Sequence, residues 1–316
     1  MKYIKVTFFI FIFTFLDTTN AVEYERPKKF DFITNIPNTM KESWEMSFNT
    51  EKETLWVWSG VISSSILLYI YDEEILAEFQ RWGRDLGLGN SDNTKDMVKV
   101  NSYTIFRGPT DVGSSFYYLG DGWTHGIIAA SFLATGAMND DNRAFQTGNQ
   151  IIHGMVTSTI SNQIIKRATG RESPYRKTKD RGAWRPFPSF NEYNNNVSKY
   201  DAMPTGHLMT ATMTFTVIDT NYPEYRSWFR PLGFTWLTLL GFQMVNNGVH
   251  WASDYPLGIA MGYVYGKVAS RYGKVDKEKE SSKDVSVTDI SKWEIYPILQ
   301  TQKNDRVAGL LAQISF

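Results

Sequence analysis

The sequence predicts an all-α helical bundle, and three observations carry that prediction. Long apolar segments recur at helical rather than alternating spacing, over 55–71, 123–138, 140–166, 208–218, 232–248 and 256–272. Helix start and stop signals bracket several of them, with Asp121 before the second, Asp140 before the third and Gly170 after it. Finally, Gly258, Gly262 and Gly266 recur every four residues, a small-residue ridge that lets two helices approach closely.

The 316 residues suffice for one sizeable domain with tails. Lys2 and Lys5 precede the apolar run Val6 to Leu16, and Thr19-Asn20-Ala21 supplies small residues for cleavage, so 1–21 is read as an export signal. Residues 22–52 are polar and charged and are expected to form an extended arm. The helical domain is assigned to 53–273, and 274–316 to a charged linker and a non-helical extension with two short strands or an ordered tail from Trp293. Leu55 to Tyr71 is uncharged and short for a membrane span, and with the negative mean hydropathy of the chain it is expected to be buried in protein. Residues 72–118 are expected to give a short helix and a long surface loop.

Lys plus Arg and Asp plus Glu both number 33, so bulk charge gives no argument for a nucleic-acid partner. The chain has no Cys, which excludes disulfides, thiolate nucleophiles and Cys-based metal sites. With the export signal, this fits a bacterial periplasmic or secreted location, a soluble mature chain and scope for association with a membrane surface. The four His, at 125, 153, 207 and 250, show no zinc spacing, so neither a metal nor another cofactor is expected. His125 and His153 are read as structural.

Three separated segments bear chemistry. His250 and Asp254 are four apart; on a helix the carboxylate would accept a hydrogen bond from one ring nitrogen and leave the other aimed outward, as a nucleophile or base requires. Met203-Pro204-Thr205-Gly206-His207 opens a helix and would point backbone N–H groups at an anion beside His207. Lys166 ends a helix ahead of the basic stretch Arg171 to Lys177, a candidate anion-binding rim or an ordinary solvated loop. Together they make a phosphoryl-transfer set of cations, a backbone nest, an acid and an oriented imidazole.

This order and spacing resemble the type 2 phosphatidic acid phosphatase superfamily, which includes bacterial acid phosphatases, lipid phosphatases and vanadium haloperoxidases. The family signature is Lys, six residues, Arg-Pro; then Pro-Ser-Gly-His; then Ser-Arg, five residues, His, three residues, Asp. Lys166, Pro174, Gly206, His207, His250 and Asp254 match it, and Thr205 replaces the family Ser. Ser173 and Met244 stand where the two motif arginines belong. The resemblance implies a bundle of that kind and a metal-independent phosphatase acting on a phosphomonoester or lipid-linked phosphate through a phosphohistidine. In that scheme His250 is the nucleophile, Asp254 its orienter and His207 the acid, while Lys166, Thr205, Gly206 and, in place of the absent arginines, Arg171 hold the phosphate. The alternatives are a weak or inactive phosphate-binding member and, less favoured, a vanadium haloperoxidase.

Overall fold

The computed structural model describes residues 23–28, 31–101, 103–275, 293–302 and 305–314. The export-signal assignment lies outside these residues. The described elements run α1 (Asp31–Thr34), α2 (Ile36–Phe48), α3 (Lys52–Ile70), α4 (Asp72–Asp85), β1 (Thr94–Val100), β2 (Tyr103–Pro109), α5 (Val112–Tyr118), α6 (Gly122–Met138), α7 (Asn142–Thr169), α8 (Phe190–Asn195), α9 (Gly206–Asn221), α10 (Arg226–Asn246), α11 (Tyr255–Ala269), β3 (Trp293–Gln302) and β4 (Asp305–Ile314). The all-α class is as the sequence predicts. The C-terminal extension contains the antiparallel pair β3–β4, in register from Trp293 opposite Ile314 to Gln302 opposite Asp305.

Helices α6, α7, α9 and α11 surround a core of Ala129, Ile151, Met209, Met213, Val217 and Met261. The glycine ridge of α11 sets its distance from α9. A Cβ added at Gly258 would lie 2.6 Å from Thr205 Cγ2, and one at Gly266 would lie 2.6 Å from Thr216 Cβ, so only hydrogen fits along this seam. Close approach at Gly258 places the N-terminus of α9 against the segment that begins α11, and this contact positions the site.

Capping follows the sequence with one shift. The Asp121 carboxylate accepts from Trp123 N to open α6, and Gly170 closes α7 in the left-handed conformation at φ 55°. Asp141, not Asp140, caps α7 by accepting from Ala144 N, while Asp140 takes the preceding turn at φ 54°. Helix α10 begins at Arg226, six residues before the expected Leu232, and carries Pro231 inside it, where the ring forfeits a single backbone bond.

Three further expectations are corrected. The arm at 22–52 is not extended throughout. Pro37 lies in the first turn of α2, and the helix is anchored to α7 where Thr39 Oγ1 lies 2.5 Å from His153 Nε2. The long loop expected before α5 contains the hairpin β1–β2, which turns at Asn101 with φ 54° and is clamped by Arg107 Nε to Asp96 Oδ1 at 2.9 Å. The third concerns Leu55 to Tyr71, which forms α3 but is not buried: only 6% of its apolar window lies inside the protein, and Leu55, Trp56, Ile62, Ile66 and Leu67 are exposed. Apolar character without a hydrophilic face is satisfied equally by a protein core or by lipid, and composition does not separate the two. Among the described residues α3 alone is long and apolar enough to cross a membrane.

Candidate active site

His250 lies in the turn between α10 and α11, not on a helix. Gly248 at φ 66° ends α10, with Gly248 N bonded to Val245 O and Val249 N to Met244 O. The expected helical stacking of His250 on Asp254 is therefore absent. Instead Nδ1 lies 2.6 Å from the carbonyl of Ala202, whereas Asp254 Oδ2 is 3.7 Å away, beyond hydrogen-bond reach. With its proton on Nδ1 toward Ala202, the ring presents the lone pair of Nε2. Asp254 contributes a negative charge beside the ring and builds the turn, accepting from Trp251 N at 2.8 Å.

His207 is in the first turn of α9, its ring centroid 6.3 Å from that of His250 and 4.6 Å from that of Tyr117. Burial, with His250, Lys166 and His125 adding smaller effects, pulls its pKa down to about 3, so the imidazole is neutral around pH 7. Thr205, after the cis Met203–Pro204 bond, caps α9 by accepting from Leu208 N. Lys166 Nζ reaches this helix start from the last turn of α7, lying 4.0 Å from the point where a Cβ on Gly206 would stand, and it pairs loosely with Asp201 at 3.4 Å. The structure thus brings Lys166, Thr205, Gly206, His207, His250 and Asp254 to one place.

Arg171 does not join the phosphate-facing groups. It is fully buried, and all five of its N–H donors have partners: NH1 on Asp254 Oδ1 (2.5 Å) and Ser253 Oγ (2.7 Å), NH2 on Asp72 Oδ2 (2.7 Å) and Arg181 O (3.0 Å), and Nε on Arg181 O (3.3 Å). The expectation that it binds phosphate is corrected, because no donor remains for an oxyanion. It braces Asp254 from behind. Burial alone would raise the Asp254 carboxyl, but Arg171 and the His250 ring outweigh it and hold the group below the usual carboxylate range. Burial pushes the Asp72 carboxyl up, against the opposing pull of Ser253 and Arg171.

Three cations after Arg171 are likewise occupied structurally, while Arg176 is exposed over the Tyr175 ring. Lys177 pairs with Glu73, Arg185 NH1 lies 3.1 Å from the buried Glu172, and Arg181 NH2 donates to Ile70 O at 3.2 Å. The stretch is not the ordinary solvated loop of the second reading: it is folded and pinned to α3 and α4. At the positions of the absent arginines, Ser173 is buried with an unpartnered hydroxyl, and fully buried Met244 places Sδ 3.6 Å from Thr205 Oγ1.

Four groups escaped the sequence reading. Asp72 was visible only as one of three acids after an apolar run, and the Ala202 carbonyl carries no side-chain signal. Tyr117 lies in a segment read as loop. Asn162, one helical turn before Lys166, has its Nδ2 3.1 Å from a Cβ placed on Gly206 and its buried Oδ1 unpartnered; its helical spacing from Lys166 could have flagged it. His125 is fully buried, stacked on Trp236 at 5.7 Å, with neither ring nitrogen hydrogen-bonded and its pKa pulled down to about 3 by burial. Among the described residues no three His, Cys, Asp or Glu side chains converge to hold a metal ion.

The chain is similar to known proteins over part of its length. The lipid A 1-phosphatase of Porphyromonas gingivalis is 29% identical over 80 residues, a match that covers 25% of this chain and only 18% of that protein. A transmembrane PAP2-type phosphatidylglycerolphosphate phosphatase from Bacillus subtilis aligns with 77% of this chain and 96% of its own, at a TM-score of 0.41 and 12% identity. A family model described as the PAP2 superfamily matches residues 148–277, and the stretch that carries Lys166, His207, His250 and Asp254 is similar to that superfamily.

Proposed function

We propose that the chain is a metal-independent phosphatase that hydrolyses lipid-linked phosphate through a phosphohistidine. The observation that carries this reading is the pairing of His250, whose Nδ1 is fixed on the Ala202 carbonyl at 2.6 Å, with His207 at a ring separation of 6.3 Å. A phosphoryl group between the rings has a nucleophile on one side and an acid on the other. His250 Nε2 attacks phosphorus, the bond to the leaving oxygen breaks, and His207 gives that oxygen its proton. Water then attacks the phosphohistidine, His207 takes the water proton, and inorganic phosphate departs. Lys166 and the first N–H groups of α9 hold the non-bridging oxygens. His207 is neutral in the ligand-free site, so it gains its proton when the anionic substrate raises its pKa.

Two facts support a lipid substrate: the similarity of an 80-residue stretch to a lipid A 1-phosphatase, and the exposed apolar α3, which suits a chain seated in or on a membrane. This departs from the expectation of a soluble periplasmic or secreted protein. A second reading, a phosphate-binding protein with little turnover, is favoured by Ser173 and Met244 in place of the arginines and by the full commitment of Arg171. Hydrolysis of p-nitrophenyl phosphate in chelator decides between them. Turnover abolished by His250→Ala, with acid-labile phosphate trapped on the protein, supports the phosphatase. Phosphate binding without turnover supports the second reading, and turnover that survives His250→Ala removes the nucleophile assignment.

A further inference from the structure

Between α2, α3, α7 and α11 runs a groove of about 240 Å³, walled by Trp44, Phe48, Val57, Trp58, Ile165 and Leu257 and by no charged side chain. Of its few polar groups, Ser161 bonds to Tyr265 and Trp58 Nε1 donates to Ser47 O at 2.5 Å, while the buried hydroxyls of Ser43 and Thr54 have no partner. Phe48 stacks on Trp58 with ring centroids 5.4 Å apart, which fixes the aromatic wall. Apolar cavities of about 150 Å³ already admit small hydrocarbons, so this one has room for a run of methylenes.

Position in the fold selects the occupant. The groove touches Ile165, the neighbour of Lys166, and Leu257, one turn after Asp254, and it follows α11 as far as Tyr265, about 12 Å along the helix. Trp44 and Phe48 in its wall are exposed, as are Leu55, Trp56, Ile62, Ile66 and Leu67 of α3, the helix that supplies its Val57 and Trp58. A protein partner needs about 800 Å² of matching surface, which a slot of this size does not offer. A strongly polar ligand would lose its hydration with only the Ser43 and Thr54 hydroxyls to offset it.

We propose that the groove seats an acyl chain of the phosphorylated lipid whose phosphoryl group reacts at His250; this rests on the phosphatase reading above. The charged end lies at Lys166 and the start of α9, and the chain lies along α11 between α2 and α3.

The test uses the full chain and a series of alkyl phosphates from butyl to dodecyl, each below its micelle concentration. kcat/KM should rise about threefold to fourfold per added methylene until the groove is filled, then level off. Ala260→Trp or Val61→Trp, which fill the groove, should flatten the series while leaving p-nitrophenyl phosphate hydrolysis within twofold. A binding readout independent of turnover is tryptophan quenching of the His250→Ala protein by a terminally brominated alkyl phosphate, lost with Trp44→Phe and Trp58→Phe. Active enzyme with a flat series overturns the proposal. Quenching that inorganic phosphate does not compete away, together with a flat series, also overturns it, since the groove then takes a bystander lipid. Competed quenching without turnover of any phosphate keeps the groove and removes the phosphatase reading.

Discussion

Arg171 donates to Asp254 Oδ1 at 2.5 Å inside a site where both side chains are fully buried, and its other terminal nitrogen holds Asp72 at 2.7 Å. The guanidinium thus neutralises the carboxylate beside the His250 ring and ties the turn before α11 to the start of α4. Arg171→Ala should destabilise the protein by about 3 to 5 kcal/mol, since it strands two buried carboxylates. Arg171→Lys should fold, bind inorganic phosphate within twofold of wild type, and lose kcat through misplacement of His250, with a shifted pH profile. Phosphate binding weakened more than tenfold by Arg171→Lys at unchanged thermal midpoint would mean that the side chain contacts the anion after all.

The bundle and the caps at Asp121 and Gly170 were legible because each rests on local spacing, and six of the seven expected site residues lie together, as the order of three motifs suggested. What stayed hidden depends on distant parts of the chain. Asp72 is 99 residues from its partner Arg171, so nothing in the motif announced the pair. The i,i+4 spacing of His250 and Asp254 suggested a helix, but Gly248 breaks it and the Ala202 carbonyl takes the hydrogen bond. Apolar composition gave α3 without saying what covers it.

Stability should fall steeply with acid. His125 and His207 have folded-state pKa values pulled down to about 3, against about 6.5 unfolded. Below pH 6.5 the unfolded chain binds protons that the folded one refuses, so stability is lost as pH drops from 6.5 toward 3. Each ring costs about 2 kcal/mol between pH 7 and pH 5. The lowered Asp254 acts in the same direction and the raised Asp72 opposes it. His125→Phe, which keeps a ring against Trp236, should recover about half of the loss from the two histidines; urea midpoints at both pH values measure it. An equal pH slope in the variant would show that His125 is not held neutral.

Membrane association should depend on α3. Replacing exposed Leu55, Ile62 and Ile66 by Gln should release the chain from vesicles in a flotation assay without lowering its thermal midpoint, because these side chains contribute little to the core. Retention on vesicles would move the attachment elsewhere, and loss of folding would mean that α3 is covered by protein.

The α9–α11 seam should be intolerant of even one methyl group. A Cβ at Gly262 would press on Met209 O and lie 2.8 Å from Thr212 Cβ, so Gly262→Ala must part the helices that align His207 with His250. We expect a loss of about 1 to 3 kcal/mol and a drop in kcat larger than the rise in KM. Gly60 on α3 has nothing within 4 Å of an added Cβ, so Gly60→Ala serves as the control and should be neutral or stabilising by up to about 1 kcal/mol. Equal effects of the two substitutions on kcat would dissociate the seam from catalysis.

An arginine at Met244 should reach the phosphate if the proposed site at the start of α9 is right. Its Sδ is 3.6 Å from Thr205 Oγ1, at the cap of α9, whose first N–H groups hold the anion in the proposed scheme, and the side chain is fully buried beside Leu208 and Leu240. A guanidinium there has no carboxylate assigned to it, because Asp254 is already taken by Arg171. Met244→Arg should therefore lower the thermal midpoint of the ligand-free protein, as an unpaired buried cation must. Inorganic phosphate should restore that midpoint far more than in wild type, since the anion becomes the missing partner. If the phosphatase reading holds, kcat/KM should rise about 10²-fold, the size of one oriented donor on developing charge. Phosphate that fails to stabilise the variant would show that position 244 does not face the anion, and the charge on the phosphoryl oxygens would then rest with Lys166 and the α9 amides alone.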